Sequence, residues 1–313
     1  MMKITTIGEI LMDMTQCGKD ENGVIRFAAN PGGAPANVAV AASRLGCSTA
    51  FVGCVGKDTF GNILRDTLVA NNVDVSGLQV TDKSGTTLAV VTVDSTGERT
   101  FSFMRSPGAD TCIDMEKAVE SVRNAEILHF GSVSLTDSNC RAVIHSAVKE
   151  ARKNGAIITY DPNYRASLWK SEEEAVLHMR EVLDLCDIVK ISDEETQLLT
   201  GKKDSVQAAA ALLERGVKLV LVTLGAEGAY FRTENLEGTV PGFKVKVADT
   251  NGAGDTFFGS FLSRIAVRGT MENLTEDELR EYVRFANRAA SLTSSRPGAI
   301  PAMPTLKEVT EAL

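Results

Sequence analysis

The chain has 313 residues, with 33 Lys and Arg against 41 Asp and Glu, giving a formal net charge of -8. Hydrophobic residues at 43% and charged residues at 24% suffice for a sizeable core and argue against a disordered chain. The acidic balance offers no basic stripe for nucleic acid or an anionic membrane surface, so neither partner is expected, and an anionic substrate must be held by local donors and metal ions.

Six cysteines are scattered without a CxxC pair, and only three histidines accompany them, so reduced thiols are expected and not a metal cluster. The start, Met1-Met2-Lys3, runs into an alternating segment ending at Asp13 and lacks the apolar core of a signal peptide. No apolar run approaches the ~20 residues that span a bilayer. A cytoplasmic enzyme or binding protein is the expectation.

In chain order, apolar runs of strand length alternate with helical sequence. Residues 3–11 come first, followed by a helix over 35–45, a strand over 49–55 and a helix over 60–71. Later strands are expected over 127–133, 156–160, 188–191 and 219–223, with helices over 139–153, 172–185 and 205–215 between them. Near-continuous apolar strands spaced by helices require a parallel sheet covered on both faces, so the fold class is α/β with three layers. The helix at Pro35 has Pro in its first turn, Val38, Ala41, Ala42 and Leu45 on one face, and Gly46 as its stop.

One region breaks the alternation. Residues 86–94 and 99–104 show period-two patterning around the turn Ser95-Thr96-Gly97 and predict a hairpin. With the polar segment 14–31 it would form a small sheet standing off the main body, either a lid or a hairpin without function. The division expected is a core of residues 1–13, 32–85 and 107–313, and a β lid of residues 14–31 and 86–106. Exposed strands of such a lid invite pairing, and a homodimer is expected from it.

In a doubly wound sheet, ligands sit beyond the carboxyl ends of the strands. The polar residues there are Asp13, Asp161-Pro162-Asn163, Ser192-Asp193-Glu194-Glu195 and Gly225. The densest segment is Asp249-Thr250-Asn251-Gly252-Ala253-Gly254-Asp255-Thr256-Phe257, opening a helical stretch. Glycines at a helix start let backbone N–H groups face a ligand unobstructed and make an anion hole. Asp255, in the first turn, can reach an attacking hydroxyl and is the candidate general base. A Walker A loop, GxxxxGK(S/T), is not matched by Gly53-Cys54-Val55-Gly56-Lys57-Asp58. A dinucleotide fingerprint fails because Phe257 stands where a third small residue is needed.

Gly32-Gly33-Ala34-Pro35-Ala36-Asn37-Val38-Ala39 and the 249–257 segment resemble the two signature motifs of ribokinase-like (PfkB) sugar kinases, in the same order and separation. Asp161-Pro162-Asn163-Tyr164-Arg165 with Leu168-Trp169, Lys190-Ile191-Ser192-Asp193-Glu194-Glu195 and Thr223-Leu224-Gly225-Ala226-Glu227-Gly228 resemble the internal motifs of fructokinases. The resemblance spans essentially the whole chain and implies a ribokinase-like core with a β-sheet lid and transfer of the γ-phosphoryl of ATP to a hydroxymethyl group of a ketose.

By the same resemblance, Asp13, Gly33 and Asn37 bind sugar hydroxyls, and Gly32-Gly33 is a hinge between core and lid. Asp255 deprotonates the acceptor while the amides of Gly252, Ala253, Gly254 and Asp255 hold the transferring phosphoryl. Arg105 and Arg165 lie near sugar or phosphate. Lys190, Ser192, Thr223, Gly225 and Gly228 line the nucleotide, Asn287 lies beside the adenine, and Glu195 organises Mg2+ and its water. A monovalent cation, K+, is implied beside the anion hole at Asp249 and Asn251, with carbonyls from the loop Arg296-Pro297-Gly298-Ala299. Two departures stand out: Ser192 replaces the Asn of the NxxE element, and Asn251 replaces the commoner Thr of DTTGAGD. The motifs report phosphoryl transfer and not the sugar, so kinases of 2-keto-3-deoxygluconate, ribose or a nucleoside remain alternatives. So does a catalytically silent binding member.

Overall fold

The computed structural model describes residues 1–93 and 99–313. Thirteen strands occur among the described residues: β1 (Ile4–Ile7), β2 (Leu11–Lys19), β3 (Ile25–Gly32), β4 (Thr49–Gly56), β5 (Val73–Thr81), β6 (Leu88–Val93), β7 (Arg99–Met104), β8 (Ile127–Gly131), β9 (Ile157–Asp161), β10 (Ile188–Ser192), β11 (Leu219–Thr223), β12 (Gly228–Arg232) and β13 (Glu237–Pro241). The large sheet has the order β13-β12-β11-β10-β9-β8-β1-β4-β5, and all its pairings are parallel except those of β12, which is antiparallel to both neighbours. The small sheet has the order β3-β2-β6-β7.

Side chains of the central strands alternate between two cores, as a sheet covered on both faces requires. Val220 and Val222 of β11 enter one cluster with Val143, Ile144, Met179 and Leu212 from the helices Ser138–Lys153, Glu172–Glu181 and Ser205–Leu213. Leu219 and Leu221 enter the other, with Phe257, Phe258, Phe261 and Val283 from the helices Ala253–Arg268 and Glu276–Ser294. The result is the expected α/β/α sandwich with a small separate sheet. Among the described residues no helix is long and apolar enough to cross a membrane.

The first apolar run is not one strand. It breaks at Gly8, with φ of +148°, where any Cβ would lie 2.8 Å from Pro35 Cγ. The chain then changes sheets, so Asp13 lies within β2 and not just after the first strand of the core. β2 pairs antiparallel with β3, setting Asp13 opposite Asn30, and parallel with β6. β6 and β7 form the expected antiparallel hairpin, whose turn at Ser95-Thr96-Gly97 lies outside the described residues.

Candidate functional site

A cavity of about 110 Å³ lies at the carboxyl ends of the parallel strands, between the two sheets. Its apolar side comes from the small sheet, Leu11, Ala89, Val91 and Phe103, with Val133 from the core. Its polar side is Glu9, Asp13, Asn37, Asn163, Arg165, Asn251 and Asp255. Polar groups converging opposite an apolar wall suit a small polyhydroxylated ligand.

Asn37 and Asp255 meet here because two helices start at this edge. The helix Ala34–Arg44 begins behind Gly33, whose φ of +107° favours glycine. The helix Ala253–Arg268 begins behind Gly252, at φ +73°, where a Cβ would lie 2.9 Å from that of Ala299. Asn37 Nδ2 donates to Asp255 Oδ2 at 2.8 Å, and Asn37 Oδ1 is buried with no partner among the described residues. That orphan acceptor fits a ligand hydroxyl. Room for Asp13 is made by Gly32, whose Cβ would fall 2.3 Å from Asp13 Oδ2.

No side chain caps the helix at Gly252, so the positive end of its dipole faces the site and can meet an anion, although Ala253 N–H is engaged by Thr250 O at 3.3 Å. Lys190 lies beside it: a Cβ on Gly254 would be 3.2 Å from Lys190 Nζ. Lys190 Nζ bonds Asp161 Oδ2 at 2.9 Å in a buried pair, and Asp161 Oδ1 has no partner among the described residues. The arrangement puts a carboxylate that can take a proton next to donors that can stabilise a transferring anion.

Burial dominates the electrostatics. It pushes Asp13 up to about 7, with the charges of Asp255 and Asp249 adding to the rise and Arg165 opposing it. Asp255 is raised by burial against the hydrogen bond from Asn37 and the charges of Lys190 and Arg165. Asp161 is pushed to about 6 by burial, offset in part by Lys190. For Lys190, burial pulls downward, but Asp161, Glu195 and Asp255 outweigh it and hold the ammonium above its usual value. Burial thus favours the protonated form of Asp13, Asp161 and Asp255.

The remaining candidates lie at neighbouring strand ends, in the helix Glu276–Ser294 and in the loop before the Ala253–Arg268 helix. Glu195 joins two loops: Oε1 accepts from Tyr164 N at 2.7 Å, and Oε2 accepts from Ser192 N and Oγ at 2.8 and 2.9 Å. Thr223 ends β11, Gly225 follows at φ +55°, and Gly228, at φ +107°, opens β12 where a Cβ would lie 2.1 Å from Val240 O. Asn287 is buried and donates from Nδ2 to Val240 O and Pro241 O at 3.0 and 3.2 Å. Asp249 accepts from Asn251 N at 3.0 Å and from Gly298 N at 3.1 Å, which brings the 296–299 loop beside the anion hole.

Arg105 departs from expectation. Its guanidinium is buried and engaged by Asp110 Oδ2 at 2.7 Å, Thr136 Oγ1 at 2.6 Å and Val133 O at 3.3 Å, and it does not line the cavity. The resemblance put Arg105 near sugar or phosphate; here the carboxylate five residues on holds its guanidinium. Asn163, in the polar stretch expected beyond the 156–160 strand, lines the cavity, and so does Glu9, which was not expected. The signal for Glu9 was present, a single acid within Ile7-Gly8-Glu9-Ile10-Leu11, because an unpaired acid in an apolar run is rarely buried without a role.

Known proteins resemble this chain over nearly its whole length. The pfkB family carbohydrate kinase description matches residues 1–306. The chain is 42% identical to fructokinase-2 of Solanum lycopersicum over 311 residues, 97% of this chain and 94% of that one. Among solved structures it is similar to fructokinase with bound ATP from Xylella fastidiosa, at 35% identity and a TM-score of 0.91 over 99% of this chain and 97% of that one. It is also similar to a double-mutant fructokinase from Vibrio cholerae O395 in a form bound to fructose, ADP and potassium ion, at 33% identity and a TM-score of 0.90 over 100% and 98% of the two chains. The fold and site therefore define a phosphotransferase acting on an alcohol group, and the chain belongs to the pfkB family of carbohydrate kinases.

Proposed function

We propose that this chain is an ATP-dependent fructokinase, transferring the γ-phosphoryl of ATP to a hydroxymethyl group of fructose. The observation that carries the reading is the Asn37–Asp255 pair at the mouth of the uncapped helix. Asp255, with its raised affinity for a proton, takes the proton of the acceptor hydroxyl as the hydroxyl oxygen attacks phosphorus. Asn37 orients that carboxylate, and its free Oδ1 accepts from a neighbouring sugar hydroxyl. Asp13 and Arg165 complete the sugar contacts. The amides from Gly252 to Asp255, with Lys190, stabilise the charge on the transferring group. Thr223, Gly225, Gly228 and Ser192 line the nucleotide, and Asn287, through its grip on the β13 edge, shapes the wall beside the base. The fructokinases of known structure, named for this same substrate, support the choice of sugar.

Mg2+ fits the acidic ground between Glu195 and the unpartnered Asp161 Oδ1, where it would screen phosphate charge. Among the described residues no three acidic, His or Cys side chains converge as a ready metal cage, which accords with an ion held largely through phosphate and water. K+ fits beside Asp249 and Asn251, where the 296–299 loop closes on the motif, and would reinforce the anion hole. Arg105, tied to Asp110, supports the site from behind and does not contact sugar. The small sheet is read as a lid, hinged at Gly32-Gly33, and as the contact of a homodimer, since Ile25 and Phe27 are exposed on its edge strand β3. The cytoplasm is the compartment this activity suits.

Asp255→Asn tests the reading. Turnover falls by about 10²- to 10⁴-fold while sugar and nucleotide still bind; near-full turnover in the variant would contradict it.

A further inference from the structure

The helix that carries Asn37 starts without a cap of its own. Its N-cap is Gly33, no side chain bonds its first amides locally, Pro35 occupies the first turn, and no acid lies there. The acceptor comes from outside the helix. Glu9, 25 residues earlier, accepts the N–H of Ala34 on Oε1 at 3.1 Å, and Ser134 Oγ lies 3.4 Å from Oε2. Glu9 is 2% exposed and lines the same cavity as Asn37 and Asp255.

The backbones are fitted as closely as the side chain. A Cβ on Gly33 would stand 2.7 Å from Glu9 O and 2.9 Å from Ile10 Cα, so the helix start rests directly on this stretch of chain. Asn37 is joined to the same start, its N–H donating to Gly33 O at 2.9 Å. A displacement of Ala34 is thereby passed through one rigid turn to Asn37 Nδ2, which must end 2.8 Å from Asp255 Oδ2. Holding a carboxylate there is costly, because burial pushes Glu9 up to about 7, with Asp110 adding to the rise and Arg105 opposing it. An apolar residue at position 9 would avoid that cost, but it could not accept the Ala34 N–H.

We propose that Glu9 is a positioning residue for the sugar subsite: it caps the Ala34–Arg44 helix from outside and sets Asn37 against the Asp255 carboxylate. The inference rests on the reading of Asp255 as the base.

The test is a double-mutant cycle with Glu9→Ala and Asn37→Ala, measuring kcat and KM for fructose and for ATP, with Glu9→Gln as the conservative variant. Glu9→Ala is expected to lower kcat/KM for fructose by about 10- to 100-fold and to leave the ATP KM within about twofold. Glu9→Gln, which keeps an oxygen facing Ala34, restores most of the loss. In the Asn37→Ala background, Glu9→Ala costs no more than about threefold further, since its effect runs through Asn37. Multiplying effects, a Gln variant as damaged as Ala, or an ATP KM rising in step with that of fructose would each overturn the proposal. Should Glu9→Ala not fold, Glu9→Asp, one methylene too short to reach Ala34, takes its place in the cycle. Wild-type protein that turns over no sugar defeats the kinase reading, whereas intact wild-type turnover with multiplying effects defeats the role of Glu9 alone.

Discussion

Asn37 donates a 2.8 Å hydrogen bond to Asp255 across 218 residues of sequence. The bond ties the first turn of one helix to the first turn of another and joins the two glycine-rich motifs into one site. Because Asp255 is buried and its proton affinity raised, the site holds a carboxylate at a cost in stability. A raised folded-state pKa means that the group favours folding at low pH and that this benefit is lost as pH rises through the folded value. Asp255→Asn is thus expected to unfold at a higher temperature than wild type at pH 8, with the gain shrinking toward pH 4. Thermal unfolding followed by circular dichroism at both values checks this; a variant less stable than wild type at pH 8 contradicts it.

Asp13 obeys the same sign with a stated window. Burial and the charges of Asp255 and Asp249 raise it to about 7, so its penalty grows between about pH 4 and pH 7 and is complete above. Asp13→Asn flattens part of the fall in wild-type stability between pH 5 and pH 8, and it raises the KM for sugar because an ionised acceptor for hydroxyls is gone. An unchanged pH slope in the variant removes Asp13 from this account.

The Lys190–Asp161 pair is buried on both sides, at 7% and 1% side-chain exposure. Lys190→Met leaves Asp161 unpaired and is expected to destabilise by about 3–5 kcal/mol. Adding Asp161→Asn recovers much of that stability, yet turnover stays low because the anion hole has lost its ammonium. Urea denaturation of the single and double variants, with ADP release measured alongside, separates the two effects. A double variant with restored turnover would show the pair to be structural only.

How much of this was legible in the sequence depends on what each residue's signal reports. The strands β8 to β11 were readable because both faces are buried and their runs are almost wholly apolar. The helix start was readable because Gly252, at positive φ, directly precedes a long stretch of helical composition. The change of sheet between β1 and β2 was not, since apolar residues resume at Ile10 straight after Gly8-Glu9 while the backbone turns. Strands β5, β12 and β13 escaped as well; β5 and β13 alternate exposed and buried positions at the sheet's two edges, and β12 is a short run opened by Gly228. The engagement of Arg105 was not legible, since the sequence sets Arg105 and Asp110 five residues apart but does not show the chain folding back to pair them.

Gly228 gives a prediction for the nucleotide side. With φ at +107° and Val240 O only 2.1 Å from any Cβ, Gly228→Ala must both strain its backbone and push β13 away. The cost is about 1–3 kcal/mol for the conformation alone, and the ATP KM rises while the fructose KM holds. Gly155→Ala, also at positive φ but with nothing within 4 Å of its Cβ, serves as the control with a smaller stability loss and unchanged kinetics.

The most direct measurement is ADP release with Mg-ATP against fructose, ribose, 2-keto-3-deoxygluconate, tagatose and adenosine, with and without K+. The account predicts that fructose has the highest kcat/KM and that K+ increases its turnover. A clear preference for another acceptor would contradict the fructokinase reading while sparing the fold and the anion hole, and no turnover with any of the five would contradict the assignment of Asp255 itself.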